Sequence, residues 1–72
     1  MDMGDYEKAV TSLEKALHYA PRSPLTYFDL ARAYVRLSKT ENALTAFENV
    51  VVLAPDTPLA DRALAEIRKL HH

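Results

Sequence analysis

The chain copies itself at a fixed interval. Shifted by 34 positions, its 72 residues align in 38 pairs, and ten of those pairs are identical, where ordinary composition gives roughly two or three. Pro21 and Pro24 fall on Pro55 and Pro58. Glu7, Ala9, Thr11, Glu14 and Ala20 fall on Glu41, Ala43, Thr45, Glu48 and Ala54, and Leu25, Leu30 and Ala31 on Leu59, Leu64 and Ala65. Other pairs exchange one apolar residue for another, as in Val10/Leu44, Leu13/Phe47, Ala16/Val50 and Leu17/Val51. A period of this length marks stacked helical units, because one unit cannot bury its apolar face alone and a neighbour completes the core. The stretch from Pro24 to Pro55 holds one whole unit, two helical patterns closed by a proline, and the flanks copy its parts.

Apolar spacing and stop signals predict four helices. The first covers residues 5–20, where Tyr6, Ala9, Val10, Leu13, Ala16, Leu17 and Ala20 recur three and four apart and so share a face. Asp5 and Glu7 sit in its first turn, where the helix dipole favours negative charge, and Pro21 stops it. Ser23-Pro24 is a start signal, a side-chain cap followed by proline at the first position. The second helix covers about 24–37, with a core stripe of Tyr27, Leu30, Ala31, Tyr34 and Leu37. Ser38-Lys39-Thr40-Glu41 fits a capping box opening a third helix over about 40–53. Ala43, Leu44, Phe47, Val50, Val51 and Leu53 carry that helix's apolar face. Val50-Val51-Val52 alone reads as strand, since β-branched side chains lose rotamer freedom in a helix; the repeat register overrides it. Thr57-Pro58 repeats the start signal for a fourth helix over about 58–70, with Leu59, Ala63, Leu64, Ile67 and Leu70 inward. Its other side carries Asp61, Arg62, Glu66, Arg68 and Lys69, the polar cover that the last helix of a stack needs.

One family has this spacing. Tyr27, Leu30, Ala31 and Tyr34, then Ala43, Phe47 and Pro55, resemble the aromatic, Leu, small, Tyr, Ala, aromatic, Pro pattern of the tetratricopeptide repeat. Gly4 to Ala9, followed by Leu13, Ala16 and Pro21, resembles the second half of an earlier copy. The resemblance covers nearly all of residues 1–72 as a single domain: residues 5–20 as the second helix of a partial repeat, 24–55 as a complete repeat and 58–70 as a capping helix. It implies an all-α fold of four antiparallel helices stacked as a helical-repeat (α-solenoid) fragment. Tyr27 stands where Trp is commonest, Ser38 replaces the Gly between paired helices, and Asp61 and Arg68 replace the two aromatics of the last copy. The last change suggests that no further helix packs there.

Composition narrows the chemistry. A chain this short buries only about 60% of its unfolded surface. Net charge is −1, so no global field points to nucleic acid or an anionic membrane. Without Cys there is no disulfide, thiolate nucleophile or Cys-based zinc site. No apolar run nears the roughly 20 residues of a membrane span, and no signal peptide is visible. Met1-Asp2-Met3 leads straight into mid-repeat and suggests an excised segment. His71-His72 is either a natural end or the start of an affinity tag and takes no part in the functional reading. With a single Gly there is no phosphate-cradling loop, and no His–carboxylate cluster has metal spacing. His18 beside Tyr19 is read as a surface or half-buried side chain, and Asp29 with Arg32 as an ion pair worth a few tenths of a kcal/mol. The reading is a non-enzyme without cofactor or metal, whose partner is a protein or peptide rather than nucleic acid or membrane.

Two faces remain as candidate sites. Leu25, Phe28, Arg32, Val35 and Arg36 lie off the core stripe of the second helix. In the resembled family the first helix of each pair lines a concave surface that holds peptides or partner helices, which implies that Phe28, Arg32 and Arg36 face a groove. Phe28 is left over once the core is assigned, and Arg32 and Arg36 at i and i+4 repel slightly unless an anion lies between them. An aromatic anchor ringed by Arg resembles a binding patch. One subset of the family clamps a terminal carboxylate with a Lys–Asn pair on this helix. Phe28 and Arg32 occupy those places here, so the resemblance does not support that ligand, while an acidic segment stays open. The second face is Tyr6, Val10, Leu13 and Leu17 on the first helix. A complete repeat puts another helix before it, and an open apolar face tends to be buried by another chain, so a homodimer is the alternative expectation.

Overall fold

The computed structural model describes residues 3–71. Met1, Asp2 and His72, with the tag reading of His72, lie outside the described residues. The chain is all-α: α1 (Met3–Tyr19), α2 (Pro24–Arg36), α3 (Thr40–Leu53) and α4 (Pro58–Leu70). Each helix packs on the next, and α2 also touches α4. The molecule measures 33 × 33 × 17 Å, a slab about two helices thick.

Capping sets the two joints that begin with proline. The Ser23 hydroxyl accepts the Thr26 N–H at 3.3 Å, with Pro24 opening α2. Thr57 accepts the Ala60 N–H at 3.1 Å. Its hydroxyl also donates to the Ala54 carbonyl at 2.6 Å, tying the end of α3 to the start of α4. Proline at the first helical position loses nothing, because that N–H has no helical acceptor.

The joint between α2 and α3 corrects the capping-box expectation. The cap of α3 is Lys39, with no side-chain hydrogen bond. Ser38 instead sits at φ 60, the left-handed position that closes α2. The Ser38 N–H donates to Val35 at 3.0 Å and the Lys39 N–H to Tyr34 at 2.9 Å, the paired bonds of a Schellman motif. The last carbonyls of α2 win the residue because they are otherwise orphaned.

The core centres on α3. Phe47, Val50, Ala43, Ala31 and Ala63 have no exposed surface or almost none. The alanines let helix axes approach closely at the crossings, and Phe47 fills the space between them. The valine run is helical: Val50 is buried, Val51 half-buried and Val52 exposed, so packing decides its conformation. In contrast, α1 packs on α2 alone, and none of its described side chains is fully buried.

Candidate functional site

The off-stripe residues of α2 are not left over. Phe28 is only 5% exposed and meets Phe47 edge-on, with ring centroids 5.5 Å apart. This corrects the reading that placed Phe28 outside the core. Because α2 packs on α4 as well as α3, its buried arc is wider than the stripe facing α3, and Phe28 turns into the corner where the three helices meet. The Arg62 guanidinium lies 5.4 Å from the Phe28 ring centroid, a cation–π contact that caps the aromatic pair.

Above Phe28 and Phe47 runs a groove of about 550 Å³ between α2 and α4. Arg32, Val35 and Arg36 line its α2 side, and Arg62, Glu66 and Lys69 its α4 side. Its one lining carboxylate, Glu66, is bound to Lys69 at 3.6 Å. That leaves the guanidinium groups of Arg32, Arg36 and Arg62 without a paired acid among the lining residues. Leu25 is exposed and lies outside this groove. Asp29 and Arg32 do not form the ion pair their spacing allows, although both line the cleft on the other side of α2.

That other side holds a second cleft, of about 580 Å³, between α1 and α2. Tyr6, Ala9, Ser12 and Leu13 form one wall, and Asp29, Arg32, Ala33 and Arg36 the other. The four α1 residues expected to form a self-association face are therefore divided. Tyr6 and Leu13 line the cleft, while Val10 and Leu17 are half-buried away from it. Glu14, four residues before His18, accepts the Tyr34 hydroxyl at 3.3 Å and so joins α1 to α2. Burial, and then the Glu14 carboxylate, raise the Tyr34 hydroxyl above the ordinary tyrosine range. His18 is exposed and stacks edge-on with Tyr19.

The α4 side of the groove was missed in the sequence, where Arg62, Glu66 and Lys69 passed as solvent cover. The signal was there. The 34-residue shift maps Phe28, Arg32 and Val35 onto Arg62, Glu66 and Lys69, so the same positions of successive copies face one another. Among the described residues no group of His, Asp or Glu could hold a metal ion, and no helix is long and apolar enough to cross a membrane.

In comparison with known proteins, the tetratricopeptide repeat family model matches residues 1–67. No curated protein and no solved structure matches the chain.

Proposed function

The chain belongs to the tetratricopeptide repeat family, a non-catalytic repeat that mediates protein–protein interaction, and we propose that its groove between α2 and α4 holds an acidic, extended segment of a partner protein. One observation carries the reading. Arg32 and Arg36 line one wall and Arg62 the other, while the single acidic lining residue is already bound to Lys69. Guanidinium groups make short, charge-assisted bonds to carboxylates. Phe28 beneath them, 5% exposed, offers a narrow apolar floor between the charges. The family's non-catalytic character supports reading the chain as a binding module.

The test is a titration of a fluorescein-labelled peptide of alternating Glu and Leu residues. Arg32→Glu with Arg36→Glu weakens binding at least tenfold, because each charge-assisted contact is worth about 1.5–3 kcal/mol. Arg62→Glu alone weakens it several-fold, and raising the salt from 50 to 500 mM weakens the wild type as screening predicts. Unchanged affinity in the double variant removes this groove from the site.

A further inference from the structure

A further cleft, of about 230 Å³, opens along the seam between α2 and α3. No Asp, Glu, Lys or Arg lines it, in contrast to the two clefts that share Arg32 and Arg36. Tyr27 and Tyr34 come from α2, and Asn42, Thr45 and Asn49 from α3. Leu30 and Ala46, both buried, form its floor. The two helices run antiparallel, so their side chains meet in matched rows. Asn42 lies against the Tyr34 hydroxyl. Seven residues along each helix bring Asn49 level with Tyr27, two turns or about 10.5 Å away. Both tyrosine rings are half-buried and pack against the core, which fixes their outer faces. The cleft belongs to one complete helix pair, with α1 packed on α2 and α4 on α3, so it is not an end of the stack.

We propose that this cleft binds an uncharged, proline-rich segment of a partner protein in the polyproline II conformation. Its period selects that form. A polyproline II chain presents the same face every three residues, about 9.3 Å, within about 1 Å of the spacing of the two Tyr–Asn rows. A β-strand presents the same face every two residues, about 6.8 Å, and misses the second row. A helix is too wide, because its diameter of about 10 Å matches the whole distance between two packed helix axes.

Hydrogen bonding points the same way. A polyproline II chain has no internal hydrogen bonds, and proline has no N–H, so such a ligand only accepts. The cleft is built to donate. The Tyr27 hydroxyl and the Asn49 amide have no hydrogen-bond partner among the described residues, and the Asn42 amide carries two N–H groups. The Tyr34 hydroxyl donates to Glu14 and leaves its ring as the contact surface. Grooves lined by aromatic rings are a recurring seat for this preformed chain. Since neither side is charged, salt does not weaken the complex.

The test is fluorescence anisotropy with labelled decaproline, against a Gly-Ser decamer with the same label. Decaproline binds the wild type and the Gly-Ser decamer does not, and raising the salt from 50 to 500 mM leaves the affinity unchanged. Thr45→Arg, a good helix former at an exposed position, lays a long side chain across the cleft and abolishes binding. Asn42→Asp, also at an exposed position, replaces a donor by an acceptor and weakens binding about fivefold. Circular dichroism confirms that both variants are folded. Arg32→Glu with Arg36→Glu leaves decaproline binding unchanged, so this cleft and the proposed acidic-peptide groove fail or stand separately. The inference is overturned if decaproline binds no tighter than the Gly-Ser decamer. It is also overturned if binding survives both Thr45→Arg and Asn42→Asp, or if it is lost in the double arginine variant.

Discussion

Leu13 and Phe47 occupy the same position in two copies of one pattern, yet Phe47 has no exposed surface and Leu13 is half-buried. Their helices have similar apolar spacing, and each is followed by a proline and a second helix. The difference lies in the neighbours. Phe47 is enclosed by α2 and α4 as well as by its own helix, whereas Leu13 has only α2. An apolar stripe in a repeat is thus a request for burial, and the number of helices around it decides how far the request is met.

Substitution at these two positions is the strongest way to break the comparison. Phe47→Ala removes a fully buried ring and costs about 3–5 kcal/mol. A chain of this size rarely holds more than about 3–5 kcal/mol in total, so that variant is unfolded at 25 °C. Phe47→Leu keeps most of the volume, remains folded and costs about 1–1.5 kcal/mol. Leu13→Ala, with a wall already open to water, costs about 1 kcal/mol. Circular dichroism at 25 °C reads the loss of fold in Phe47→Ala, and urea denaturation ranks the other two. If Leu13→Ala unfolds the chain as Phe47→Ala does, the cleft between α1 and α2 is filled in solution and the two regions are not different after all.

The joints offer a smaller and sharper contrast. The repeat shift places Gly4 on Ser38. Gly4 lies inside α1 without a positive φ, while Ser38 takes φ 60 between α2 and α3. The residue suited to a left-handed turn sits where none is made, and a residue with a Cβ sits where one is. A left-handed backbone costs a non-glycine residue about 1–2 kcal/mol, and the greater freedom of an unfolded glycine offsets about half of that. Ser38→Gly therefore stabilises the protein by about 0.5–1 kcal/mol, a rise in Tm of a few degrees at this chain length. A fall in Tm on Ser38→Gly contradicts the Schellman assignment.

Much of this was legible before any coordinates. The prolines, the Ser23 and Thr57 caps and the three-and-four spacing of apolar residues are local signals, and each produced its local feature. The burial of Phe28 was not legible from α2 alone, because it depends on α4 arriving from 34 residues away. The turn at Ser38 was misread because Ser-x-x-Glu spells a capping box while the same serine can close the preceding helix. Which role prevails depends on whether the carbonyls of α2 or the amides of α3 claim it. Arg62 and Lys69 look like solvent cover on a single helix and become a groove wall only beside α2.

The finest contrast concerns how α1 is held. No fully buried ring anchors it, and the Tyr34 hydroxyl of α2 donates to its Glu14 at 3.3 Å. Burial and then the neighbouring carboxylate raise the Tyr34 pKa in the folded state. A group whose folded pKa lies above its unfolded value contributes stability below the unfolded value, near 10 for tyrosine, and loses it as pH rises through the folded value. The contribution is therefore complete at neutral pH and disappears on the alkaline side, where a phenolate would face a carboxylate. Tyr34→Phe changes stability at pH 7 by only a few tenths of a kcal/mol, since the bond is exposed. It also makes the decline between pH 9 and 11 shallower than in the wild type, and α1 amides lose less hydrogen-exchange protection over that range than they do in the wild type. Parallel alkaline declines in the two proteins would show that α1 is held by its apolar contacts with α2 and owes nothing to this bond.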